Sequence, residues 1–146
     1  MQDHNMPPVL ELRVALTAHD LDRLERFYRI GLGLEPTATW QRGTAARGVM
    51  IALGDATLEL FDEPYAAYVD ELEAGERVSG PVRLALRVPD LDSALARLIE
   101  HGAVLVHPPV TTPWGDRSVR LQDPEGLQVT IFQEAEPASG EVVAAT

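Results

Sequence analysis

Two arginines stand at the same point of two similar stretches, Arg13 in "ELRVALTAHDLDRLERFY" and Arg83 in "PVRLALRVPDLDSALARL". A guanidinium is planar, protonated at any physiological pH and rich in N–H donors, so its chemistry is recognition of carboxylate, phosphate or enolate-like oxygens. Other reactive groups are sparse. The chain has no cysteine, which excludes disulfides, thiolate nucleophiles and thiolate-bound metals. Its four histidines, His4, His19, His101 and His107, include no H-x-H or H-x-x-x-H pair that would set two imidazoles on one ion. Each reads as a structural or solvated side chain, with His107 the one that leads into a candidate site loop. Ser79, Ser93 and Ser118 have no neighbouring base, and no triad, phosphate-cradling glycine loop or nucleotide fingerprint is present.

The elements that must position the arginines repeat with them. Shifting the chain by seventy residues brings Arg13, Ala15 and Leu16 onto Arg83, Ala85 and Leu86. The same shift brings Asp20, Leu21 and Asp22 onto Asp90, Leu91 and Asp92. "TLELFD" (57–62) and "QVTIFQ" (128–133) then close the two halves, with Phe61 answering Phe132. Such self-similarity marks a duplicated module. In each copy an alternating segment sets Leu12, Val14 and Leu16, or Val82, Leu84 and Leu86, on one face, and the arginine on the other. A period of two predicts a half-buried strand.

Asp20 and Asp90 are then placed to cap helices carrying apolar stripes, Leu21, Leu24, Phe27 and Tyr28 in the first copy and Leu91, Ala94, Leu95 and Leu98 in the second. Gly31–Gly33 and Gly102 are the expected helix stops. Short strands follow at 36–42, 47–53 and 56–62, and at 103–107, 117–122 and 127–133, with "LGDA" and "QDPEGL" as hairpin turns. The expected fold is α+β: two tandem β-α-β-β-β modules whose two small sheets lie side by side in a curved mixed-sheet cup, helices outside. The expected division is an N-terminal arm at 1–9, a first module at 10–62, a linker at 63–80, a second module at 81–133 and a flexible tail at 134–146. The linker's Tyr65 and Tyr68 could cover the cup or pack beneath it.

Composition narrows the function classes. Apolar residues make up 45% and charged residues 24%, and the net charge is −11. That charge disfavours nucleic acid as a partner. No apolar run approaches the roughly 18 residues of a membrane span, and the first residues do not read as a secretory signal. A cytoplasmic location is expected, without membrane association.

The duplicated module, with "VALTAHDLDRLERFY", "LALRVPDLDSALARL" and the closing "QDPEGLQVTIF", resembles the vicinal oxygen chelate superfamily, which includes glyoxalase I, extradiol dioxygenases, methylmalonyl-CoA epimerase, and fosfomycin- and bleomycin-resistance proteins. The resemblance spans about residues 11–133. It implies a cup holding one divalent ion, with ligands on the first and last strands of each module. Arg13 and Arg83 occupy the expected histidine positions, Glu59 matches the first closing ligand, and Thr130 stands where the second is expected. A guanidinium offers no lone pair, and two fixed positive charges repel a cation. No metal and no cofactor are therefore expected.

Two roles remain open for Arg13, Glu59 and Arg83: an ion cluster that plugs the vacated site, or anchors for a ligand oxyanion. In relatives the loop "PPVTTPWGDR" (108–117) borders the cavity, so Trp114 is a candidate stacking wall, joined by Trp40 and Phe132. The leading expectation is a bleomycin-resistance-like protein that binds a small organic molecule in a metal-free cup, paired as a homodimer. The alternative is a glyoxalase-like lyase or isomerase, or a dioxygenase-type enzyme, acting on a small oxygenated substrate. In a metal-free enzyme Glu59 would move the proton, although two nearby arginines would favour its ionised form and weaken it as a base.

Overall fold

A computed structural model describes residues 8–135. The expectations for residues 1–7, His4 among them, and for 136–146 lie outside the described residues. Eight strands form one mixed, open and curved sheet in the order β2-β3-β4-β1-β5-β8-β7-β6. The first copy supplies β1 (Glu11–Ala18), α1 (Leu21–Leu32), β2 (Pro36–Arg42), β3 (Ala46–Leu53) and β4 (Ala56–Asp62). The second supplies β5 (Val82–Arg87), α3 (Leu91–Glu100), β6 (Val104–Thr111), β7 (Arg117–Gln122) and β8 (Gln128–Gln133). Between them runs α2 (Glu63–Ala74).

The two first strands join the copies. β1 pairs antiparallel with β5, Leu12 opposite Leu86 and Arg13 opposite Ala85, so the two expected sheets are one. Within each copy the first strand also pairs in parallel with the last, β1 with β4 and β5 with β8. The sequence shift survives in the ladder: Gly48 faces Phe61 as Ser118 faces Phe132, and Met50 faces Glu59 as Arg120 faces Thr130.

Alternation sorts the side chains between the two faces. Behind the first half, Val49, Ile51, Leu58 and Leu60 are buried with Leu21 of α1. Behind the second, Val119, Leu121 and Ile131 are buried with Leu91 and Ala94 of α3. Asp20 caps α1 by accepting from the Arg23 amide, and Gly33 ends it at φ 71°, a left-handed turn that glycine adopts without a Cβ penalty. Asp90 takes the N-cap position of α3, where its carboxylate accepts from the Ser93 hydroxyl rather than from a backbone amide.

The segment read as a linker is where the structure adds most. Asp62 caps it by accepting from the Tyr65 amide, Pro64 stands in its first turn, and a 12-residue helix follows. α2 lies on the face opposite α1 and α3, touching β3, β4 and β1 from the first copy and β6 and β7 from the second. The linker thus crosses the concave face and covers it. No helix among the described residues is long and apolar enough to cross a membrane.

Candidate functional site

The concave face has two chemically distinct halves, both beneath α2. Under the first half of the helix, Tyr65, Ala66 and Val69 pack against Ala15, Trp40, Ala46 and Phe61. Trp40 stacks on Tyr65, with ring centroids 6.0 Å apart and planes at 16°. Phe61 lies 5.1 Å from Tyr65. Gly48 makes room for this cluster, since a Cβ there would stand 3.0 Å from the Trp40 ring and 3.1 Å from Phe61. The buried Trp40 Nε1–H has no acceptor among the described residues.

Under the second half the contacts are ionic. Arg120, on β7, is fully buried. Its Nη1 donates to Asp70 Oδ1 at 2.9 Å, and its Nη2 to Glu73 Oε1 at 2.9 Å. Ser79 Oγ accepts from Nη1 at 2.9 Å, and Thr130 Oγ1 from Nε at 3.2 Å. Thr130 in turn donates to Glu73 Oε1 at 2.6 Å and accepts from Arg83 Nη1 at 2.9 Å. Two guanidinium groups and one carboxylate therefore converge on a single hydroxyl. Asp70 also receives the Val78 and Ser79 amides, each at 2.8 Å, and Arg77 Nη1 at 3.0 Å. Burial alone would raise the Asp70 carboxyl, but the Ser79 hydroxyl, Arg120 and these amides outweigh it and hold it at about 2.

The residues singled out from the sequence distribute over this face unevenly. Arg83 and Glu59 are buried as neighbours, with Arg83 Nη2 3.9 Å from Glu59 Oε1, beyond hydrogen-bond distance. Thr130 joins Arg83 directly. Arg13 points its fork elsewhere, to Glu11 Oε2 at 3.0 Å and Glu134 Oε1 at 3.3 Å, with its Cζ 4.8 Å from the Phe132 ring centroid. A three-membered ion cluster is therefore not what these residues make: Arg83 leans on Glu59, and Arg13 reaches it only through the field. Trp40 is filled against by Tyr65 and Phe61. Trp114 sits half-buried in the β6–β7 turn, which the Thr112 amide closes by donating to Asp116 O at 2.8 Å. His107 holds the Pro108 carbonyl with its Nδ1 at 2.7 Å and lies beside Gly75, at the end of α2.

Glu59 departs from the expected electrostatics. Burial drives its carboxyl above the ordinary range, against the pull of Arg83 and Arg13, with Glu73 and Glu11 adding to the rise. The two arginines do not keep it a weak base, because desolvation is the larger effect. No hydrogen bond among the described residues reaches its oxygens.

The donor set does not fit the divalent ion implied by the sequence resemblance. Arg13 and Arg83 hold no lone pair to offer, the Thr130 hydroxyl oxygen already accepts from Arg83 and Arg120, and Glu59 is left as a single carboxylate. Among the described residues no three His, Asp or Glu side chains are grouped to hold a metal.

Sequence reading passed over Arg120, Asp70 and Glu73, the most deeply buried charges of the face. A signal for Arg120 existed. In "RSVRLQ" alternation opposes Ser118 and Arg120 to Val119 and Leu121, and the seventy-residue shift lays Arg120 on Met50. The acidic pair sits three residues apart on α2, the spacing of one helical face, yet nothing in 63–80 says which way that face turns.

Comparison with known proteins places this geometry. The family model described as Glyoxalase/Bleomycin resistance protein/Dioxygenase superfamily matches residues 12–131. The chain is 31% identical over 130 residues to the anthracycline biosynthesis protein DauV of Streptomyces sp. (strain C5), a match covering 88% of this chain and 43% of that protein. It thus spans less than half the length of this curated relative. Among solved structures, hypothetical protein BH1468 from Bacillus halodurans C-125 superposes with a TM-score of 0.64 at 16% identity, covering 88% of this chain and 96% of the other. A single-residue variant of Streptomyces coelicolor methylmalonyl-CoA epimerase, in complex with 2-nitronate-propionyl-CoA, gives 0.61 at 23% identity, covering 85% and 96%. Two fused copies of one module in a single sheet, matched along nearly their whole span, make the chain a member of the Glyoxalase/Bleomycin resistance protein/Dioxygenase superfamily.

Proposed function

We propose that the chain binds a small organic molecule at the concave face without a metal, with Arg83, Glu59 and Thr130 as its central polar anchors. Arg13 and Phe132 extend the site along the sheet, Trp114 supplies aromatic surface, and Trp40 backs the face from beneath Tyr65 and Phe61. The observation that carries this reading is the pair of buried charges, Arg83 and Glu59, at 3.9 Å, with the Glu59 carboxyl unbonded among the described residues. A buried charge is costly unless it is paired and hydrogen-bonded, so an incompletely satisfied pair is a place where a ligand's oxygens and N–H groups gain most. The Trp40 N–H, buried without an acceptor among the described residues, adds a second polar group of this kind.

The likeness to an anthracycline biosynthesis protein supports a flat, aromatic, oxygen-rich ligand. The exposed Phe27, Ile30 and Leu32 on α1 support the pairing of two copies. The test is a thermal-shift and calorimetric panel of polycyclic hydroxyquinones and simpler aromatic acids. At least one class should stabilise the protein, and Arg83→Ala should abolish the effect. A panel without a single stabilising compound would sink the reading.

One observation favours an enzyme instead. A carboxylate raised by burial is a stronger base than an ordinary one, and Glu59 stands beside the Arg83 guanidinium, a donor suited to an enolate oxygen. In that case Glu59→Gln removes turnover of the bound compound while keeping its affinity. Unchanged turnover excludes Glu59 as the base.

A further inference from the structure

From the bonds of Glu73 we infer that its carboxylate is a built-in stand-in for the carboxylate of an organic acid, which takes its seat on Arg120 and Thr130, beside Arg83, when the last turn of α2 gives way. The inference rests on the proposed ligand-binding role of the concave face and specifies the ligand: a small organic molecule bearing one carboxylate.

Three features of α2 carry it. First, the partners of the two helix carboxylates differ. Asp70 takes the Val78 and Ser79 amides and Arg77, all in the segment that follows the helix, besides its bond to Arg120. Among the described residues the Glu73 side chain bonds only to the sheet: Arg120 Nη2 at 2.9 Å, Arg120 Nε at 3.3 Å and Thr130 Oγ1 at 2.6 Å. When the last turn of α2 frays, Asp70 is kept in place by the following loop and by Arg120, and Glu73 is the carboxylate that leaves the sheet.

Second, the seat that Glu73 fills is built for an oxyanion. Arg120 and the Thr130 hydroxyl both donate to the Glu73 carboxylate, and Arg83 backs the seat by donating to Thr130 Oγ1 at 2.9 Å. Withdrawing Glu73 removes one negative charge from a buried group, and one carboxylate from outside restores it. Glu73 meets Arg120 Nε, Arg120 Nη2 and Thr130 through Oε1 alone, whereas an unattached carboxylate can turn to present both oxygens to the Arg120 Nε–Nη2 edge.

Third, the end of α2 that bears Glu73 opposes its own dipole. Glu71 and Glu73 lie in the last turns, no basic residue accompanies them, and Gly75 closes the helix at φ 83°. Acidic groups at a helix C-terminus are unfavourable, so this turn depends on its contacts to the sheet more than on its own propensity.

The test uses the full chain, with benzoate as the probe. Benzoate should speed amide exchange in α2 of the unaltered protein several-fold, and Glu73→Gln, which removes the competitor, should bind benzoate about tenfold more tightly. Inorganic phosphate should give neither response. Equal benzoate affinity in the two proteins, an α2 that exchanges at the same rate with benzoate bound, or an equal response to phosphate would overturn the inference. Should Glu73→Gln not fold, the exchange measurement on the unaltered chain decides alone. A polycyclic ligand that binds through Arg83 while α2 stays protected would overturn this inference and leave the proposed function standing. Benzoate that loosens α2, together with silent polycyclic compounds, would uphold both and exclude only the polycyclic ligand class.

Discussion

The two halves of the concave face are positionally equivalent and chemically opposite. Where the first copy has Gly48 and Met50, the second has Ser118 and Arg120, paired to the corresponding residues of β4 and β8. One helix covers both, and its residues divide accordingly: Tyr65, Ala66 and Val69 over the aromatic half, Asp70 and Glu73 over the charged half. The difference teaches how a duplicated scaffold is closed by a single element. Apolar contact is strong but non-directional, so it supplies adhesion. A buried arginine bonded to two carboxylates adds little net stability against well-packed apolar side chains, but it tolerates few arrangements, so it sets the register. The aromatic half holds α2 on, and the charged half says where it lies.

The largest test of that division is Arg120→Met, which makes the second half resemble the first. It leaves Glu73 buried without a cation and Asp70 with Arg77 alone, and loss of one partner of a buried pair costs about 3–5 kcal/mol. Urea titration should show this. Adding Asp70→Asn and Glu73→Gln to Arg120→Met should recover much of it. A change below about 1 kcal/mol would mean that the charges are not shielded as their burial implies.

The pH profile sharpens the same point. Asp70 is held at about 2, below its unfolded value near 3.8, so its contribution is present above the unfolded value and is lost as pH falls through that window. Glu59 runs the other way: its folded carboxyl is raised, so its contribution is complete below the unfolded value and is lost as pH rises through the folded one. Asp70→Asn should flatten the acid limb of stability, and Glu59→Gln the limb above it. Interchanged effects would invalidate the assignment.

On the aromatic side, Gly48→Ala adds one methyl against Trp40 and Phe61 at 3.0–3.1 Å. Overpacking of this kind costs about 1–3 kcal/mol. It should lower the melting temperature while leaving the acid limb in place, because the charged half is untouched. Loss of both together would show that the halves are one cooperative unit.

The smallest effect is expected outside the face. Arg117→Ala breaks an exposed pair with Asp92 at 2.9 Å and should change stability by less than about 1 kcal/mol. A larger loss would make surface charge, rather than the covered face, the main ionic contribution.

How much of this was legible in the chain follows from the range of the forces involved. Alternation, caps and turns are local, and they placed the strands, α1 and α3, and set Arg13 and Arg83 on one face of their strands. The duplication carried the family resemblance, because a repeated module brings its pairing with it. The helix in 63–74 left a weaker mark, since its buried side mixes Tyr65 and Val69 with Asp70 and Glu73 and shows no continuous apolar stripe. The sign of the Glu59 shift was also out of reach. Charge neighbours can be guessed from strand parity, but the desolvation that outweighs them depends on what covers the carboxyl.

By itself, then, the sequence determined the two copies, from a seventy-residue shift, and their strands and the strand faces bearing Arg13 and Arg83, from periodicities a few residues long. Only the tertiary structure decided that the linker folds over the concave face. That choice couples Asp70 and Glu73 to Arg120, fifty and forty-seven residues away, and takes all three out of water. Burial is a property of the sheet and its cover together, and no segment read alone contains it.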